Sequence, residues 1–182
     1  DSLTDSDGRM RKSLEALGRE LNSVRTGRAS PALVEGLLVE YYGTDTPLNQ
    51  LASISVPEPR VLMIQPWDAN ALQDVERSIL KSDLGLVPNN DGTVIRINIP
   101  MLTEERRREL VRVVGQKVEE AHVAVRNIRR DTLGRLRDME KDKSLSKDDG
   151  KRAQDQLQQL TDKYIGQMDG IREEKEAEVM EV

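Results

Sequence analysis

From Thr103 to about Asp142 the chain sets apolar or small side chains at Leu110, Val114, Val118, Ala121, Val125, Ile128, Thr132, Leu136 and Met139, without a proline. The mean step is about 3.6 residues, so one long α-helix is expected, on the order of 55 Å end to end, and its stripe needs partners along its whole length. Two other segments offer matching stripes. Met10, Leu14, Leu17, Leu21 and Val24 recur at steps of four and three, a bundle-type seam that ends near Thr26, Gly27 and Ser30-Pro31. Ala153, Leu157, Leu160, Tyr164, Met168 and Ile171 form the third stripe, extending towards Val179, with Ser146 as the expected cap. The short polar link from Lys143 to Ser146 predicts that the second and third long helices run antiparallel.

Between the first two long helices the period falls to two. Leu37, Val39 and Tyr41 alternate with Leu38, Glu40 and Tyr42; Ala52, Ile54 and Val56 alternate with serines; Val61 to Gln65 is a short apolar run; Ile95, Ile97 and Ile99 alternate with Val94, Arg96 and Asn98. These are predicted strands. A short helix over Ala69 to Lys81 turns Leu72, Val75 and Ile79 inward, with Asp68 or Asn70 as its cap. The glycines and prolines here, among them Gly43, Pro47, Pro57, Pro59, Pro66, Gly85, Pro88 and Pro100, read as turn punctuation, and Asn90, Asp91 and Gly92 as a tight turn.

The order helix, mixed segment, helix, helix predicts an α+β chain of two domains. Residues 1–29 with 104–182 form a discontinuous three-helix bundle, and residues 30–103 form a small inserted α/β domain. All seven prolines lie between 31 and 100, which marks both boundaries. The chain crosses between the domains twice, at Arg28, Ala29, Ser30 and Pro31 and at Pro100, Met101, Leu102 and Thr103, and two adjacent connectors make a hinge.

Composition narrows the classes of function. Charged residues make up 34% of the chain, and no apolar run approaches the ~18 residues of a membrane span, so no membrane partner is expected. The absence of cysteine removes disulfides and thiolate metal sites. With aromatics at 2%, a platform for stacking single-stranded bases is not expected. Nucleotide-loop, zinc-protease and nucleophile-elbow motifs do not occur, so no catalytic role or cofactor is expected. The single histidine, His122, reads as a surface or boundary residue on the flank of the long helix, and Asp142 to Gly150 as a turn and cap rather than a calcium loop.

The net charge of −5 hides a division. Residues 1–30 carry +1, 31–102 carry −5, 103–143 carry +3 and 144–182 carry −4. On a helical wheel Arg108, Arg112, Arg126, Arg130 and Arg137 share one solvent flank of the long helix, broken by Glu119, while Arg129 sits at the edge of the core. Such a ribbon suits forked contacts to the phosphates of structured RNA. It equally fits a solvated face or an acidic protein partner, and the bundle seam also fits an adaptor for another helix.

Longer motifs are similar to those of one family. Arg25-Thr26-Gly27-Arg28-Ala29, Tyr41-Tyr42-Gly43, Ser82 to Leu86, Asn89 to Gly92, Leu102 to Arg107 and Val123 to Asp131 resemble the ribosome recycling factor family over essentially the whole chain. The resemblance implies an L-shaped, non-enzymatic monomer with a three-helix long arm and a β/α/β short arm, a tRNA-like outline. It implies that the bundle lies across the A and P sites of the large ribosomal subunit against 23S rRNA, and that elongation factor G with GTP then splits the ribosome into subunits. It further implies that Arg126 and Arg129 lead the RNA contacts, with Arg130 in the same motif and Arg25 and Arg28 in the other. The implied location is the bacterial cytoplasm, or an organellar matrix or stroma if a targeting segment preceded Asp1.

Overall fold

A computed structural model describes residues 1–181, which divide into two compact units, Asp1–Val24 with the chain from Glu105 onward, and Arg25–Glu104. In the first unit, α1 (Ser2–Asn22), α3 (Glu104–Lys141) and α4 (Lys147–Met180) pack side by side; α2 (Leu72–Lys81) belongs to the other unit. Ion pairs fix their directions. Asp5 meets Arg135 at 3.3 Å, Arg9 meets Asp131 at 3.6 Å and Glu20 meets Lys117 at 3.8 Å, so numbers rise along α1 as they fall along α3. Asp169 and Arg172 of α4 face His122 and Gly115, while Gly150 faces Glu140, so α4 is also antiparallel to α3.

The expected stripes form the core. Met10, Leu17 and Leu21 meet Val114, Val118, Val125, Ile128 and Leu136, and Leu157, Tyr164 and Met168 close the third side. Each such side chain taken out of water contributes roughly 1.5–3 kcal/mol, which is what holds so long a rod together. Two polar pairs bridge the helices inside: Ser6 and Thr132 share a hydroxyl hydrogen bond across α1 and α3, and the Tyr164 hydroxyl donates to Asp7. At the reversal between α3 and α4, Lys143 takes a left-handed φ of 66°, and the Leu145 N–H donates to the Met139 carbonyl at 3.1 Å. Ser146 then caps α4, its hydroxyl accepting from the Asp149 N–H at 3.1 Å.

The second unit holds the strands β1 (Leu38–Tyr41), β2 (Thr44–Pro47), β3 (Ala52–Glu58), β4 (Val61–Pro66), β5 (Pro88–Asn90) and β6 (Ile95–Asn98), with α2 (Leu72–Lys81) between β4 and β5. β1 and β2 form a hairpin, and the other four form an antiparallel sheet in the order β3-β4-β6-β5. Leu62, Ile64, Ile95 and Ile97 from the sheet and Leu72, Val75 and Ile79 from α2 share one core with Val34, Val39 and Leu48. Asp68 caps the turn into α2, accepting from the Asn70 N–H at 2.9 Å.

Two strands stand where the sequence reads as turns. β2 and β5 contain Pro47 and Pro88, and Pro57 and Pro66 also lie inside strands. All four fit because of position: Pro47 and Pro66 end their strands, Pro88 opens an edge strand, and Pro57 sits where the β3–β4 register slips between Ser55 and Glu58. No helix among the described residues is long and apolar enough to cross a membrane.

Candidate nucleic-acid interface

α3 carries its charge asymmetrically, and ion pairing sharpens the asymmetry. On the flank towards α1, Arg106 pairs with Glu109 at 2.8 Å, and Lys117 and Arg135 pair with Glu20 and Asp5 of α1. On the opposite flank, Arg112, Arg130 and Arg137 are exposed and none has a carboxylate within ion-pair distance. Arg108 is exposed on the same flank. Arg129, towards the core's edge, is half-buried and also has no acidic partner among the described residues. The cations used to fasten the bundle are thus separated from those left to face solvent.

Glu119 interrupts this flank. One of its oxygens lies 3.4 Å from Arg126 Nη1 and the other 3.4 Å from His122 Nδ1. His122 itself is buried at 7% exposure, which corrects its reading as a surface or boundary residue. The reason is geometric: α3 has neighbours on two sides, so its buried arc is wider than one seam, and α4 covers the flank that carries His122. Its Nε2 lies 2.9 Å from Asp169 Oδ1, close enough for an ion pair but without hydrogen-bond alignment.

The Arg25 to Ala29 motif leaves α1 in irregular backbone. Arg25 is half-buried and donates to the Leu84 carbonyl at 3.4 Å, and the Arg28 side chain is exposed. Gly27 needs to be glycine: its φ is 82°, and a Cβ there would sit 3.4 Å from Leu102 Cγ. The Ala29 N–H donates to the Pro59 carbonyl and the Ile99 N–H to the Arg60 carbonyl, each at 2.8 Å. Both connectors are therefore pinned to the turn between β3 and β4. Ser30 caps the short helical turn Pro31–Leu33; beyond Ile99, Pro100, Met101 and Thr103 are exposed and Leu102 is half-buried.

Comparisons with known proteins converge. A family model described as ribosome recycling factor matches residues 17–180. The ribosome-recycling factor of Carboxydothermus hydrogenoformans is 56% identical over 182 residues, covering 100% of this chain and 98% of that protein. That of Halalkalibacterium halodurans is 59% identical over 180 residues, covering 99% and 97%. Among solved structures, a solution structure of the ribosome recycling factor aligns with a TM-score of 0.81 at 46% identity, covering 100% of this chain and 97% of that one. A second, of the T. thermophilus ribosome recycling factor and the E. coli elongation factor G bound to the E. coli post-termination complex, aligns with a TM-score of 0.70 at 49% identity over 99% of this chain and 97% of that one.

Proposed function

Because the chain belongs to the ribosome recycling factor family, we propose that it binds the large subunit of the post-termination ribosome across the A and P sites and, with elongation factor G and GTP, splits the ribosome into subunits. The observation that carries the reading is the exposed arginine flank of α3, a rigid rod on which Arg112, Arg130 and Arg137 present forked cations that no carboxylate of the described residues engages. Arg126, Arg129 and Arg130 are the leading contacts to 23S rRNA, with Arg108 and Arg112 further along the rod and Arg28 and Arg25 at the end of α1. The protein acts as a monomer in the bacterial cytoplasm and performs no catalysis itself; GTP is hydrolysed by its partner.

Motion of the inserted unit supplies the second half of the mechanism. Arg28 to Pro31 and Pro100 to Thr103 form the hinge between the bundle and the insert. The hydrogen bonds at Ala29 and Ile99 tie the insert ends of both connectors to one turn, so rotation is concentrated on the bundle side of each. Elongation factor G acting on the insert then moves it while the bundle stays docked.

Arg129→Ala should weaken binding to isolated 50S subunits and reduce the salt slope of binding by about one, with the melting temperature nearly unchanged. Unaltered affinity would remove Arg129 from the interface. Cross-linking the two connectors is clean in a chain without cysteine. It should preserve 50S binding and block splitting by elongation factor G with GTP; splitting at the normal rate would show that hinge motion is not required.

A further inference from the structure

We infer that Glu119 is a specificity-determining residue that divides the arginine flank into two separate phosphate grips and rejects an RNA backbone running continuously along the rod. This inference rests on the RNA-docking reading above. One grip is Arg108 with Arg112; the other is Arg126, Arg129, Arg130 and Arg137. Arg112 and Arg126 are separated by roughly 21 Å along the axis at ~1.5 Å per residue, and Glu119 lies midway, two turns from each. It shares the angular sector of the exposed arginines, so a strand laid along the flank passes over its carboxylate.

The carboxylate is held there. Arg126 Nη1 and His122 Nδ1 each approach one of its oxygens to 3.4 Å. The His122 ring on one side of it is buried, with Asp169 of α4 behind it, so that side of Glu119 faces a packed surface rather than open solvent. Magnitudes then decide what the charge does. At physiological ionic strength screening acts over ~8 Å, so Glu119 barely weakens Arg112 at about 10 Å; its exposed pair with Arg126 occupies one Nη of that fork and leaves Nε and the other Nη to a phosphate, yet Glu119 dominates any phosphate brought within contact of its own position. A generic duplex, whose charges are closely spaced along its axis, meets that repulsion in every register that uses both grips. An RNA surface offering two backbone segments about 20 Å apart, with a gap between them, does not. The residue therefore costs little affinity for a folded rRNA target and lowers affinity for bulk RNA.

The test compares two probes, isolated 50S subunits and a generic RNA duplex of about two helical turns at low salt, with three forms of the full chain. Glu119→Gln should bind the duplex about three- to tenfold more tightly than wild type while its affinity for 50S changes less than twofold. Glu120→Gln makes the same change in net charge on an exposed neighbour that points to another side of α3, and it should leave both affinities within twofold of wild type. The inference is overturned if Glu119→Gln leaves duplex binding unchanged, if it tightens both probes by the same factor, or if Glu120→Gln reproduces its effect. Failure of the underlying reading is a separate result: Arg129→Ala would then bind 50S as wild type does, whatever Glu119→Gln did to the duplex.

Discussion

The two units solve the problem of a stable core in opposite ways. Each long helix of the bundle satisfies its own backbone hydrogen bonds, so the core requires only that three apolar stripes meet, and charge is free to be sorted on the outside. The insert has short strands whose backbone groups depend on neighbours, and its core is a sheet face closed by α2 and the chain around the hairpin. Its surface carries the acidic excess, −5 over residues 31–102, where the segment containing α3 carries +3. A long helix with a basic flank and an acidic compact insert suit different partners. The division of labour proposed above, RNA for one and a protein for the other, follows that contrast.

The sharpest way to break the comparison is to damage one core and watch the other. Ile97 and Met168 are both fully buried, one in each unit. Ile97→Ala and Met168→Ala should each cost about 2–5 kcal/mol in the unit that carries them. Amide hydrogen exchange should then show lost protection in β4, β6 and α2 for the first variant, with α3 and α4 retained, and the converse for the second. Equal losses in both units from either variant would mean that the chain unfolds as one body, and the contrast would be one of surface only.

The same contrast explains what could be read in advance. Helical periods of the bundle are local, so α3 and α4 are found with their stripes; Leu110, Val114, Val118, Val125, Ile128, Thr132 and Leu136 are all buried as their spacing requires. β2, with Thr44-Asp45-Thr46-Pro47, and β5, with Pro88-Asn89-Asn90, carry no alternation of their own; they are strands because β1 and β6 offer edges. At the candidate interface, the position of Glu119 among the arginines and of Arg129 at the core's edge follows from the wheel. The burial of His122 beside Glu119 does not, because it depends on α4 covering a flank of α3. Nor does the bond from Arg25 to Leu84, whose partner lies 59 residues away.

A smaller effect separates the units by pH. Each contains a tyrosine donating to an aspartate: Tyr41 to Asp68 at 2.6 Å in the insert, Tyr164 to Asp7 in the bundle. The hydrogen bond to Asp68 is the main reason the Tyr41 phenol is pushed up to about 12, and it holds Asp68 below the usual carboxylate range. Tyr164 is also raised, but chiefly by burial, with Asp7 second and Arg11 opposing. A raised phenol stabilises the fold fully below its unfolded value near 10 and ceases to as pH climbs through the folded value. A lowered carboxylate stabilises above its unfolded value of about 3.9 and ceases to as pH falls through the folded one. The stability gap between wild type and Tyr41→Phe, measured by urea unfolding, should therefore be flat near neutrality and shrink at both extremes. A gap that stays constant towards pH ~12 would show that the Tyr41–Asp68 bond does not hold the proton.

The smallest effect compares one backbone conformation in two settings. Lys143 and Tyr42 are the two non-glycine residues with positive φ among the described residues, at 66° and 49°. Left-handed backbone costs a side-chain-bearing residue roughly 1–2 kcal/mol, and glycine gives back about 0.5–1 of that through its greater loss of entropy on folding. Lys143 is exposed, with no ion-pair partner, at the reversal between α3 and α4. Lys143→Gly should raise stability by about 0.5–1 kcal/mol, read as a higher urea midpoint at unchanged slope. Tyr42 sits in the β1–β2 turn with its ring edge-on to Tyr41, centroids 4.5 Å apart, beside the hydroxyl that donates to Asp68. An aromatic pair of this kind is worth about 0.5–1.5 kcal/mol, so Tyr42→Gly should gain nothing or lose slightly. If both glycine variants stabilise equally, the ring contact is without weight, and the hairpin tolerates a tyrosine in left-handed backbone for a reason that lies outside the folded chain.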